Sequence, residues 1–453
     1  MKKVYLLFFM FLFSIPLFAY IDPGTGSMLF SLLTGVAVTF FFFMKNIMLK
    51  IRGGLLLKDG VKKQSSRYSL AIYSEGKQYW NVFKPILEEL SRREIPCAYY
   101  TSGEDDPGLS ASLPPVHAEY IGKGNAAYRF LNFLEADICL MTTPGLDVFQ
   151  LKRSPGVRRY AHILHMVTDA SGYRLFGIDY YDAVLLSGEY QQKDIRTLEK
   201  KRGFPEKKLF VIGCTYLDVM AEHLAGLPAK KPGNTKTVLV APSWGRNGIL
   251  TRYGLKMLAP LAKSSYHIII RPHPQSMISE KKTIEALEET LASYANVEWN
   301  FDAENLNALS RSDALISDFS GIIFDYAFLF GRPVLYPRFD FDKRPYDMAD
   351  IEEEAWTFRA VREIGLPLQE ESFGDIEKIL DGLINAGKER GDTIGRLRGE
   401  AYMYPGEAGK RAVDALDIMG KELAKQEQAG YETGGLSGDA LKTPGGADTP
   451  IVD

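Results

Sequence analysis

Short apolar runs alternate with amphipathic stretches along most of the chain. Ser69–Tyr73, Cys97–Thr101, Ala136–Met141, His162–His165, Ala183–Ser187 and Leu209–Ile212 each end in polar or turn-forming residues and read as strands. Between them, Val82–Arg93 has helical periodicity, with Phe83, Leu87 and Leu90 on one face, and Tyr190–Lys201 is a second helical stretch. A segment rich in Pro, Gly and Lys, Pro228–Lys236, interrupts the pattern, which then restarts. Val238–Ala241, His267–Arg271, Ala314–Ser317 and Val334–Tyr336 are the new strands. Leu255–Ala262, Glu280–Tyr294, Phe324–Phe330, Ile376–Asn385 and Gly409–Leu423 are the helices, and Gly331 and Pro333 stop the most apolar of them. Strands alternating with helices predict parallel sheets covered on both faces. The expected fold class is α/β, with two doubly wound domains over residues 68–232 and 233–425. Ligands of such domains bind beyond the carboxyl ends of the strands, in the cleft between them. After Gln426 apolar content falls away, and residues 426–453 read as a disordered tail.

The first fifty residues differ in kind. Lys2 and Lys3 precede an apolar run, Val4–Ala19. A polar turn, Asp22–Ser27, leads to a second run, Met28–Met44, and then to Lys45, Lys50, Arg52, Lys58, Lys62 and Lys63. Residues 1–50 read as a membrane hairpin, or as a signal peptide followed by one transmembrane helix, and 51–67 as a basic linker. Under either reading the positive-inside rule puts everything after Met44 on the cytoplasmic face of the inner membrane. A length of 453 residues fits two domains plus these appendages. The formal net charge of −3 lacks the basic excess of a general nucleic-acid binder. Cys97, Cys139 and Cys214 are scattered, without metal-binding spacing, and read as buried thiols in a reducing compartment.

Three clusters carry candidate chemistry. Ser317-Asp318-Phe319-Ser320-Gly321 joins a buried strand to a buried helix. Ser320 is placed to cap that helix, Gly321 to let a ligand approach the backbone, and the free amides to receive an anion. A plain helix cap is the bland alternative. Asp325, inside the same apolar helix, is either a structural carboxylate or one turned to the cleft. Arg271-Pro272-His273-Pro274 follows a strand, offering a guanidinium fork and an imidazole to phosphate. His162-Ile163-Leu164-His165-Met166-Val167-Thr168-Asp169 ends a strand of the first domain. Strand alternation sends the two histidines to opposite faces, making them poor joint metal ligands. His165 is then the candidate base, Asp169 the group that orients it, and His162 a structural residue. The Ala241-Pro242-Ser243-Trp244-Gly245 loop suits a site beside a phosphate, and Gly213–Asp218 a domain junction. No persuasive metal site and no organic cofactor motif is present.

Together these segments resemble the CDP-glycerol glycerophosphotransferase family, which includes teichoic-acid primases and polymerases. Ala241-Pro242-Ser243-Trp244, Arg271-Pro272-His273-Pro274, Ser317 through Asp325 and Arg332-Pro333 carry the resemblance, which spans about Ser69–Leu416. It implies two Rossmann-like domains of the glycosyltransferase-B type, with the donor held mainly by the second. It also implies transfer of glycerol phosphate, or another polyol phosphate, from a CDP-activated donor to a lipid-linked or polymeric acceptor. By motif match Arg271, His273, Ser317 and Ser320 would contact donor phosphates, with Gly321 and Ser243 beside them; Asp325 would be a donor-side carboxylate and His165 the base. The family's first-domain signature, His-Gly-Thr-Pro and a basic residue, is replaced here by His165-Met166-Val167-Thr168-Asp169. A glycosyltransferase or nucleotide-sugar epimerase of the same fold, and a membrane-anchored scaffold without catalysis, are the competing readings.

Overall fold

The computed structural model describes residues 68–227, 235–302, 305–318, 320–338, 341–386 and 390–435, together with Phe40 and Met44. The chain divides into two units, residues 1–66 and 67–453, and all that follows concerns the second. Both apolar N-terminal runs and the basic linker lie outside the described residues, apart from Phe40 and Met44. Among the described residues no helix is long and apolar enough to cross a membrane.

The first lobe is a seven-stranded parallel sheet. Its strands are β1 (Tyr68–Ser74), β2 (Cys97–Thr101), β3 (Val116–Tyr120), β4 (Ala136–Met141), β5 (Val157–Ile163), β6 (Ala183–Leu186) and β7 (Lys208–Val211), in the order β3-β2-β1-β4-β5-β6-β7. The second lobe is a six-stranded parallel sheet of β8 (Thr237–Val240), β9 (His267–Ile270), β10 (Val297–Trp299), β11 (Ala314–Ile316), β12 (Val334–Pro337) and β13 (Gly365–Leu368), ordered β10-β9-β8-β11-β12-β13. Every residue of β2, β6, β8 and β11 is buried, as expected where helices cover both faces. Each sheet reverses its winding once, between β1 and β4 and between β8 and β11.

Helix α1 (Trp80–Arg92) buries Val82, Phe83, Ile86, Leu87 and Leu90, a stripe at helical spacing. Helix α2 (Thr215–Ala225) closes the first lobe's main run of chain. Helices α3 (Ile322–Phe330) and α4 (Trp356–Ile364) belong to the second lobe. The last helix, α5 (Ala408–Gly435), returns to the first: Ala412, Val413, Leu416, Met419 and Leu423 pack with Ile72, Phe83, Ile86 and Leu140. A side chain at Gly409 would put its Cβ 2.6 Å from the Pro85 carbonyl oxygen, so α5 lies directly on α1. The expectation that residues 233–425 form one domain therefore changes: α5 completes the first lobe's core. The expected tail changes too, because the helix continues through residues 426–435.

The Gly213–Asp218 segment is the joint of that return. Gly213 has φ +94°, open to glycine and strained for other residues. The Asp218 carboxylate accepts from the Tyr402 hydroxyl (2.6 Å), the Gly406 amide (2.7 Å) and the Ala408 amide (3.0 Å), capping α5. Cys97, Cys139 and Cys214 are free and buried, and burial pushes the Cys139 thiol up to about 12.

Candidate active site

The carboxyl ends of both sheets carry the predicted chemistry. In the second lobe Asp318, just beyond β11, accepts from the Ser243 amide at 2.9 Å and the Ile249 amide at 3.2 Å. It thereby ties the loop after β8 across the winding reversal, where doubly wound sheets bind ligands. The Ser243 Oγ held there is buried and has no hydrogen-bond partner among the described residues. Leaving such a hydroxyl unsatisfied is costly, so the position suits a polar ligand.

His273 extends the same edge. Its Nδ1 accepts the Gln275 amide at 3.1 Å, which puts the ring proton on Nε2. The ring presents a neutral donor, consistent with burial and the neighbouring Arg271 charge holding its pKa below the usual range. Arg271 is buried and donates to Asn300 Oδ1 at 2.5 Å; Asn300 in turn donates to Asp302 at 2.7 Å. That chain fixes the guanidinium plane.

Ser317 departs from expectation. It is fully buried, and its hydroxyl donates to the Ala241 carbonyl at 2.7 Å. It clamps the β8 and β11 loops together. Ser320 departs as well: α3 has no side-chain cap, and the residue preceding it is Gly321. Gly321 has an ordinary φ of −57°, and a Cβ there would come into van der Waals contact with Met166 Sδ at 3.4 Å. The start of α3 therefore faces the residue next to His165. Asp325, in the first turn of α3, is hydrogen-bonded to Tyr216 of α2, and burial raises its carboxyl to about 7.

In the first lobe β5 ends at Ile163, so strand alternation does not extend to His165. Both imidazoles turn to one hydroxyl instead of opposite faces: Tyr173 Oη lies 3.0 Å from His162 Nε2 and 3.3 Å from His165 Nδ1. One hydroxyl proton can serve only one acceptor. Two relays satisfy both contacts, one running from His162 to His165 and one from His165 to His162; in the second, His165 Nδ1–H donates to Tyr173, Tyr173 donates to His162, and the His165 Nε2 lone pair is free. Burial lowers His165 to about 4, so it is neutral near pH 7. Asp169 takes no part in orienting it. Its carboxylate accepts the Trp356 amide at 2.9 Å and the Thr357 amide at 2.7 Å, capping α4.

Sequence reasoning missed Tyr173, Tyr216 and the loop-tying role of Asp318. Only Asp318 carried a local signal, an acid one residue past a buried strand. Among the described residues no group of three or more His, Cys, Asp or Glu could hold a metal ion.

Residues 188–385 match the family described as CDP-Glycerol:Poly(glycerophosphate) glycerophosphotransferase. Over that segment, which is less than half of the chain, the sequence is similar to glycerophosphotransferases. The match takes in Ser243, Arg271, His273, Ser320, Gly321 and Asp325, while His165 precedes it. Among solved structures, the wall teichoic acid polymerase TagF is 19% identical over 84% of this chain and 96% of its own, with a TM-score of 0.52. A histidine-to-asparagine variant of that polymerase soaked with CDPG is 18% identical over the same shares, also at 0.52. The Methanocaldococcus jannaschii UDP-GlcNAc 2-epimerase, solved with UDP-GlcNAc and UDP, is 15% identical over 77% of this chain and 99% of its own, at 0.50. At these identities the likeness is one of fold, glycosyltransferase-B-like. No curated protein matches the sequence.

Proposed function

We propose that the protein transfers glycerol phosphate, or a related polyol phosphate, from a CDP-activated donor to a membrane- or lipid-linked cell-envelope acceptor. The observation that carries the reading is the approach of Met166, beside His165, to Gly321 at the start of α3. A base and an anion-receptive helix end thus share one cleft.

In this reading the donor's phosphates lie against Ser243 Oγ, His273 Nε2–H, Arg271 and the amides at Ser320 and Gly321. His165 Nε2 takes the proton of an acceptor hydroxyl while the hydroxyl oxygen bonds to the donor's β-phosphorus. The bond from that phosphorus to the bridging oxygen breaks, and CMP leaves. A positioned base of this kind contributes roughly 10²–10⁴-fold. Asp325, hydrogen-bonded to Tyr216, buttresses the donor side. The apolar runs before Met44 would tether the catalytic lobes to the cytoplasmic face of the membrane, near such an acceptor.

Calorimetry of the full chain with CDP-glycerol, CDP-ribitol and UDP-sugars tests the reading. CDP-polyol binding abolished by His273→Ala, together with CMP release in the presence of acceptor, is the expected result. Binding of UDP-sugars alone would replace it with a sugar transferase or epimerase, and binding without turnover would leave a scaffold.

A further inference from the structure

The first sheet also reverses its winding, between β1 and β4, and the crevice there has no role in the steps above. Glu75 follows β1 directly and Thr142-Thr143 follow β4, while the pairing of Tyr73 with Met141 aligns Glu75 with Thr143. The Thr142 and Thr143 hydroxyls are buried without a full hydrogen bond, although Thr143 lies close enough to favour the Glu75 carboxylate. Burial is the larger influence on Glu75 and raises its pKa. A cavity of about 330 Å³ opens beside it, lined among others by Tyr73, Glu75, Lys77, Ser102, Lys123 and Tyr128. A Cβ at Gly103 would stand 2.9 Å from Gly76 Cα, so two glycine turns meet to form one wall.

We infer that this crevice is a second subsite, taking a neutral polyhydroxyl unit of the acceptor such as a glycerol or sugar residue, with Glu75, Tyr73 and Ser102 in its wall. The inference rests on the transferase reading for the word acceptor, though not for binding itself. Three observations select that ligand class. The lining presents the Glu75 carboxylate together with the Tyr73, Ser102 and Tyr128 hydroxyls, which match alcohol donors and acceptors. The two rim lysines are already opposed by acids, Lys77 to Asp105 at 2.5 Å and Lys123 to Glu104 at 3.8 Å, which argues against a phosphate. The crevice also connects to the base: Tyr79 hydrogen-bonds Glu75 and packs edge-on against His165, with ring centroids 5.3 Å apart. A polyol seated on Glu75 would hold its terminal unit one tyrosine from His165.

The test measures saturation transfer from the full-length protein to glycerol, in wild type, Glu75→Gln and Ser102→Ala, with CDP-glycerol calorimetry on each. The expected result is glycerol binding weakened at least about tenfold in Glu75→Gln, and weakened in Ser102→Ala, with CDP-glycerol affinity unchanged; that unchanged affinity also certifies the fold. No transfer to glycerol in a wild-type sample that binds CDP-glycerol would overturn the subsite. Equal glycerol binding in wild type and both variants, or displacement of glycerol by inorganic phosphate at lower concentration, would overturn it too. Glycerol binding that depends on Glu75 in a protein that ignores CDP-glycerol would uphold the subsite and remove the transferase reading.

Discussion

Asp169 and Thr357 hold each other's backbone amides across the two lobes. The Asp169 amide donates to Thr357 Oγ1 at 3.2 Å, and the Thr357 amide donates to Asp169 Oδ2 at 2.7 Å. The pattern is that of a reciprocal helix cap, with the capping residue supplied by the other lobe. Because Asp169 lies four residues after His165, the start of α4 and the position of the base are set together. Asp169→Ala is expected to cost about 1–2 kcal/mol, the range for a lost cap. Thermal unfolding would register it, and the rate of transfer should fall more than donor affinity does.

A second tie runs beside the first. Buried Arg202 reaches Asp179 (3.0 Å) on its own lobe, and Asp347 and Asp350 (2.7 Å each) on the other. Asp347 also receives the Phe176 and Gly177 amides at 2.7 and 3.1 Å. Removing one member of such a cluster strands buried charge, so Arg202→Met should destabilise by about 3–5 kcal/mol in urea unfolding.

Ser243→Ala separates ligand binding from folding. A hydroxyl without a partner contributes nothing to the free protein, so the variant should be as stable as wild type or slightly more so. CDP-glycerol affinity, read by calorimetry, should fall about tenfold, the equivalent of one lost hydrogen bond of roughly 1.4 kcal/mol. A parallel loss of stability and affinity would mean that the hydroxyl supports the loop instead.

His165 should leave a signature in pH. Its folded pKa, about 4, lies below the unfolded 6.5, so the unfolded chain binds more protons between these values. The stability it permits is complete above 6.5 and is lost as pH falls towards 4. Asp325, raised to about 7 from 3.8, contributes the opposite slope. Comparing urea midpoints of wild type and His165→Asn at pH 7 and pH 4.5 isolates the histidine: the variant should lose less on acidification. The same variant should lower kcat by roughly 10²–10⁴ without changing donor affinity.

Most interior strands were legible because parallel sheets bury both faces and leave apolar runs, and β2 and β4 follow their runs residue for residue; β5, expected at His162–His165, instead runs Val157–Ile163, where Arg158 and Arg159 break the apolar pattern. The strands missed are β3, β10 and β13, all at sheet edges. Edge strands are half-exposed: β3 is Val-His-Ala-Glu-Tyr with no fully buried residue, and β13 contains Gly365 and Pro367. At the site, the placement of Arg271, His273 and Ser243 beyond strand ends followed from local pattern. The inward turn of Ser317 and the convergence of His162 and His165 on Tyr173 did not, since each depends on contacts distant in sequence. Glu75 drew no notice for the same reason: only the insertion of β1 between β2 and β4 places it at a reversal of winding.

The crossing of α5 back onto α1 has a consequence for synthesis. A ribosome delivers the seven strands of the first lobe early, yet Val413, Leu416 and Met419, which seal one side of that sheet, emerge only after the second lobe's strands. Until then Phe83 and Ile86 have an open flank, so the nascent chain holds a half-covered sheet throughout production of the second lobe. Severing the polypeptide near Gly406 would accordingly unseat the lobe made first and spare the one beside the cut.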